Sequence, residues 1–341
     1  MPRRGAGEPV VAQESAQPPS QRPAHGRTQV TAAELDAEVS PPDISETHRS
    51  AVAPEPIVDS GQDAGELRVI TGFDCPSAVL YDAQADLYLV SNLCGGEGTE
   101  GPGYIARVEP EGDVVAPRWI DGRAKRARLE APRGMAIIRG RLYVTDGPVV
   151  RVYDRKTGVP RGEIKVPGAT RLSGIASGAS GSLLVSDVGY GEDGRASGTD
   201  AVYRINRAGR VSALFRSSVL GHPQGVLYSD RTVWIATHGS GKLYGLKANG
   251  GLVSGPPLDE GRLVGLTEIG PSDVVVTSDV AQGVYRGALD GSFTYLEGGI
   301  AAPGHPAWDP ARRRLLVPSE DTGEVRVLII PPKEKPSRPR G

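Results

Sequence analysis

Short apolar runs in this chain repeatedly end in Ser or Thr followed by a polar residue. The copies are Ser91-Asn92, Thr145-Asp146, Ser186-Asp187, Thr237-His238, Ser278-Asp279 and Ser319-Glu320, at steps of 41 to 54 residues. A second series runs just ahead of the first: Ser77-Ala78, Arg133-Gly134, Ser173-Gly174, Gln224-Gly225, Val264-Gly265 and Gly304-His305. Two series in phase predict one unit copied six times. A period of about 40 residues built from short strands predicts propeller blades, and hence an all-β, six-bladed β-propeller.

Each unit follows one order. An inner strand opens at a Pro-x-Gly-like segment, an apolar hairpin partner follows, and then comes a third strand of alternating Tyr, Arg and Val. The third strands are expected at 104–108, 149–153, 201–205, 242–246, 283–287 and 324–330, with the period of two that marks a half-buried strand. Behind the last of these stands only a Pro-rich tail, whereas 66–71 (ELRVIT) is left over ahead of blade one. This spare strand is expected to complete blade six, so that both ends of the chain close the ring and remove its open edges. The loops 94–103 and 188–199 are long and are expected on one face, where function tends to sit.

Composition fits this reading. The chain has 46 Gly, 29 Pro and 38% hydrophobic residues, as a turn-dense all-β protein requires. A net charge of −2 supplies no basic face for nucleic acid, and no apolar run approaches the roughly 18 residues of a membrane span. The propeller is expected to occupy 66–330. The first 60 residues, rich in Pro, Gln, Ser, Glu and Ala, and the basic tail 331–341 are expected to be disordered. Arg3-Arg4 is not followed by the apolar stretch of an export signal, which points to a cytoplasmic protein. A misassigned start, or a bond between the two cysteines, would point to a periplasmic or secreted one.

The candidate chemistry comes in groups, each with two readings. Asn92, Asp146, Asp187, His238, Asp279 and Glu320 are expected to ring the channel mouth. They either hold a ligand or metal there or cap turns, as Asp and Asn commonly do. A hairpin turning at 229–231 places His222 opposite His238, as a metal or acid–base pair or as a stacked pair, with His305 able to join across the ring. Arg133 is the one charge among the inner-strand positions. It either binds the carboxylate or phosphate of a small ligand or neutralises an acidic rim. Cys75 and Cys94 fall opposite each other in the first hairpin, as a disulfide or as two free thiols. The segment 191–194 (GEDG) lacks the ligand spacing of a calcium loop and reads as a flexible acidic loop.

With its Pro-x-Gly openings and LYVTD-like strands, the region 66–330 resembles the regucalcin/gluconolactonase family of six-bladed propellers. The segments FDCPSAVLYD, APRGMAI, RLSGIAS, HPQGVLY and RLVGLTE carry the likeness. The resemblance implies a divalent metal over the channel, held by an acidic residue in the first blade, two Asn in middle blades and an Asp in a later one. The matching positions here are Ser77, Ser173, Gln224 and Val264, so the carboxylates are absent and Val264 offers no donor. The reading that follows is a diverged lactonase-type propeller with no cofactor assigned, a non-catalytic binder of a small polar molecule or a protein partner at the channel face. The alternative is a metal-dependent lactone or ester hydrolase that uses relocated rim residues, and the third possibility is a scaffold.

Overall fold

The second strands of the blades, such as LLV and VVV, are apolar in both phases, which says that each sheet is covered on its two faces there. The computed structural model describes residues 65–94, 101–191, 194–259 and 261–332. The tails expected to be disordered fall almost wholly outside the described residues, as does the larger part of the loop 94–103 and the centre of 191–194.

Strand β1 (Gly65–Thr71) comes first. Blade one is β2 (Pro76–Asp82), β3 (Leu87–Asn92), β4 (Tyr104–Val108) and β5 (Val114–Asp121). Blade two is β6 (Pro132–Ile138), β7 (Arg141–Asp146), β8 (Val149–Asp154) and β9 (Pro160–Lys165). Blade three is β10 (Leu172–Ser177), β11 (Leu183–Asp187), β12 (Ala201–Ile205) and β13 (Val211–Arg216). Blade four is β14 (Pro223–Ser229), β15 (Thr232–Thr237), β16 (Leu243–Leu246) and β17 (Leu252–Ser254). Blade five is β18 (Leu263–Gly270), β19 (Asp273–Ser278), β20 (Gly283–Gly287) and β21 (Phe293–Glu297). Blade six is β22 (Ala307–Asp309), β23 (Arg314–Ser319) and β24 (Glu324–Ile329), and β1 pairs antiparallel with β24 as its outer strand. The protein is therefore an all-β, six-bladed propeller closed by its first strand, with every third strand where the alternation places it. No helix among the described residues is long and apolar enough to cross a membrane.

The core is divided into six sectors, one at each blade junction. Within blade three, Leu183 and Val185 of β11 pack towards blade two, whereas Leu184, on the other face of the same strand, packs towards Val226 and Ile235 of blade four. Alternate residues thus serve different sectors, which is why LLV and VVV runs replace simple alternation. Hydroxyls near the ends of the second strands tie successive blades together. The hydroxyls of Ser91, Thr145, Ser186 and Thr277 donate to the carbonyls of Arg133 (2.7 Å), Ser173 (2.6 Å), Gln224 (2.5 Å) and Gly304 (3.0 Å), each in the following blade. These bonds need inner strands in close approach. A Cβ on Gly174 would collide with the Gln224 carbonyl, which explains the Gly of the second series.

One feature of the repeat differs from the sequence reading. Asn92, Asp146 and Asp187 stand opposite Pro76, Pro132 and Leu172, at the first position of each inner strand. In blades four to six the residues at that place are Thr237, Ser278 and Ser319, opposite Pro223, Leu263 and Pro303. His238, Asp279 and Glu320 are therefore one residue further on and are not equivalent to the first three. In extended chain a shift of one residue turns a side chain to the other side. The ring of six like positions is in fact two groups of three.

Candidate functional site at the channel mouth

The first group is buried and spent on backbone. Asn92 is 0% exposed, accepting from the Asp74 N–H (3.2 Å) and donating to the Val90 carbonyl (3.0 Å). Asp146 accepts from the N–H groups of Glu130 (3.1 Å) and Ala131 (2.7 Å) and pairs with Arg151 at 2.8 Å. Asp187 accepts from the N–H groups of Thr170 (3.1 Å), Arg171 (3.0 Å) and Gly189 (3.3 Å). These are the turn-capping bonds that were one of the two readings open for them.

The second group faces the channel. A cavity of about 180 Å³ is lined by Ser77, Arg133, Gln224, His238, Asp279 and Glu320, with Val264, Asp321 and the segment 302–305 completing its wall. His238 Nε2 lies 3.5 Å from Asp279 Oδ2, and Arg262 approaches the same oxygen at 3.7 Å. The His238 contact, with Arg262 behind it, holds the Asp279 carboxyl below its ordinary range. Burial pushes the Glu320 carboxyl up and pulls the Arg133 guanidinium down, while each partly offsets the other's shift through its charge. No hydrogen bond or ion pair joins either side chain to another described residue. Glu320 stands in the same dipeptide pattern as the turn caps, and the one-residue offset puts it on the cavity wall instead.

His222 and His238 are adjacent through the backbone, His238 N–H donating to the His222 carbonyl at 2.9 Å. Their side chains diverge. His222 Nδ1 contacts the Val188 carbonyl at 2.7 Å, lies 3.5 Å from Asp200 and stacks on Tyr190 at 4.1 Å. Asp200, Tyr190 and Arg171, which bonds the Gly191 carbonyl at 3.0 Å, come from loops and carry no repeat signal in the sequence. The only hint was the extra length of 188–199.

His305 occupies the place in blade six that Gly or Ala holds elsewhere, and it lines the 180 Å³ cavity. It also borders a second cavity of about 430 Å³, lined by Met135, Ile175, Leu227, Leu266 and Trp308 among others. Backbone bonds tie it to blade one, through Val79 N–H to the His305 carbonyl (3.1 Å) and His305 N–H to the Ser77 carbonyl (2.9 Å). Its Nε2 meets the Ser173 hydroxyl at 3.0 Å, and Ser173 bonds Gln224 Oε1 at 2.6 Å. Two of the four positions at which the lactonase resemblance calls for metal ligands thus bond each other and a histidine, and a third is Val264. This donor set does not fit a hard divalent cation.

Burial, and then the charge of Arg133, pushes the His305 imidazole down from 6.5 to about 4. The folded chain then refuses a proton that the unfolded chain accepts, so stability falls as pH drops from 6.5 towards 4. Discounted for solvent in the adjoining cavities, this contribution is on the order of 1–2 kcal/mol. Urea titrations across this range are expected to show a shallower pH dependence for His305→Gln than for the native chain. Parallel profiles would contradict the assignment.

Cys75 and Cys94 are joined in a disulfide, with Cα atoms 5.5 Å apart, as the hairpin register allowed. The bond lies at the same end of blade one as Asn92 and Asp74.

No protein-family model and no curated protein matches the chain. Solved structures do. A putative gluconolactonase is 17% identical, with a TM-score of 0.62 over 78% of this chain and 93% of the other. XC5397 from Xanthomonas campestris, described as a gluconolactonase important in glucose secondary metabolic pathways, is 15% identical with a TM-score of 0.62 over 79% and 91%. A luciferin-regenerating enzyme is 11% identical with a TM-score of 0.59 over 78% and 96%. At these identities the likeness is one of fold.

Proposed function

We propose that this chain is a diverged lactonase-type propeller that binds a small polar molecule in the cavity at the channel mouth. The observation that carries the proposal is Arg133. A guanidinium sits half-buried on the cavity wall without a hydrogen-bond or ion-pair partner among the described residues. An unpaired charge taken out of water is costly, and a bound oxyanion would offset that cost. The lactonase-like neighbours support the fold lineage and supply no substrate. The Cys75–Cys94 bond supports work in an oxidising compartment, periplasmic or extracellular, over the cytoplasm.

Melting curves recorded with a panel of small organic acids test this reading. A ligand present at 100 times its Kd adds about 2.7 kcal/mol and raises Tm by several degrees. The rise is expected in the native chain and is expected to vanish in Arg133→Met. A shift that survives Arg133→Met would reject the site, and no shift with any acid would reject the reading.

The alternative, a metal-dependent hydrolase, has one observation in its favour: His238, Asp279 and Glu320 share the cavity wall. On the main reading, calcium, zinc, manganese and magnesium each move Tm by less than about 2 °C, because stabilisation requires affinity. A shift of several degrees that disappears in Asp279→Asn would overturn the metal-free reading and favour the hydrolase alternative.

A further inference from the structure

The cavity holds two opposite charges that do not meet. Arg133, from blade two, and Glu320, at the corner between β23 and β24 of blade six, both line the same 180 Å³. Each feels the other's charge, yet no ion pair forms between them. Opposite charges on flexible surface side chains would collapse together. Here the blades fix their stems on different sides of the ring, and neither side chain has a protein hydrogen-bond partner among the described residues. The gap between them is a space with a donor end and an acceptor end.

The remaining wall sharpens this polarity. Gln224, which lines the same cavity, accepts from Ser173 through Oε1, and its amide N–H groups have no protein partner among the described residues. The acceptor end is reinforced by Asp279 and Asp321, from blades five and six. Donors therefore come from blades two and four and acceptors from blades five and six. Resting on the reading that this cavity binds a small polar molecule, we propose that its ligand is a zwitterion of the amino-acid class, with its carboxylate on Arg133 and Gln224 and its ammonium on Glu320.

Other chemistries satisfy only part of the site. A plain carboxylate neutralises Arg133 but leaves an acidic wall facing it. An amine does the reverse beside Arg133, whose own charge is already reinforced by that of Arg171. A neutral sugar leaves both charges uncompensated, which costs more the further they are withdrawn from water. A hydroxy acid bonds both ends but brings no positive charge to Glu320. A hydroxyl on the Glu320 carboxylate also makes a charge-assisted bond, but only the ammonium adds the attraction of opposite charges, which distinguishes it from a hydroxyl at the same carbon. The volume, about six times that of a water molecule, suits a single small amino acid.

Calorimetric titration of the full chain with matched pairs tests the inference: alanine against lactate, and serine against glycerate, with propionate and ethylamine as single-charge arms. The amino acid is expected to bind at least about tenfold tighter than its hydroxy-acid partner. Glu320→Gln, which keeps the shape, is expected to remove that preference while leaving the hydroxy acid's affinity within about twofold. Equal affinities for alanine and lactate in the native chain would overturn the zwitterion assignment and leave the anion-binding reading standing. Binding by none of these compounds, or by any other small acid, would remove both. Should Glu320→Gln not fold, the alanine–lactate ratio of the native chain decides alone.

Discussion

A chain that begins at Phe73 is expected to lose cooperative unfolding and to aggregate, whereas one that begins at Gly61 folds. The difference is β1. It pairs with β24 from Val69↔Arg326 to Thr71↔Glu324 and covers the outer edge of blade six. Ile70 is 5% exposed in the sector between blades six and one, beside Val325 and Val327. Burying it is worth about 1.5–3 kcal/mol. Each ladder hydrogen bond adds about 1 kcal/mol, so the strand carries a large part of the 5–15 kcal/mol typical of a folded domain. Its loss also exposes β24 as a free edge, a template for pairing with other chains. Size-exclusion chromatography and melting curves of the two chains check this. A monomeric chain starting at Phe73 with a sharp transition would show that blade six is complete without β1.

Replacing Cys75 and Cys94 by Ala is expected to cost about 3 kcal/mol, the loop-closure entropy of a ring this short. Two backbone bonds, from Leu93 N–H to the Cys75 carbonyl (3.0 Å) and from Cys94 N–H to the Asp74 carbonyl (3.4 Å), keep the strands paired without the sulfurs. The native fold is therefore expected to persist, with its guanidinium midpoint lowered. Coincident curves for the oxidised protein and the double variant would show that the bond adds nothing. Mass spectra of non-reduced, thiol-blocked protein report whether the bond is present at all.

The ring, its closure and the juxtaposition of the two cysteines could be read from sequence because each depends on local periodicity. Six in-phase copies fix blade number, and a hairpin whose turn is known fixes its register, which is how Cys75 met Cys94. The cavity was not legible in the same way. In blade four the dipeptide Thr237-His238 reads like Thr145-Asp146, yet Thr237 stands where Asp146 does. Ala236 fills the hydroxyl position there and Pro318 fills it in blade six, so nothing in the composition of the dipeptide betrayed the offset. The inner-strand register was the available signal: the residue opposite Pro223 marks the turn-capping place. Arg133 and Glu320 share a wall only because the ring closes between them, and Asp200 enters from a loop without a repeat, so no spacing rule connects them.

The hydroxyl bonds between successive blades also bear on how the ring breathes. Blades one to two, two to three, three to four and five to six each have one, and blades six and one are joined instead by the backbone bonds of His305. At the junction of blades four and five, Ala236 has no hydroxyl to give. Among the described residues that seam is held by its apolar sector and by side-chain contacts such as Ser229 to Glu268 (3.3 Å) and His238 to Asp279. Local opening follows the least protected unit of a fold, so amide exchange should start along β14 and β18 and spread from there. Because His238 and Asp279 face each other across that seam, the junction with the fewest backbone ties is also one wall of the cavity, and a molecule lodged in it would slow exchange there first.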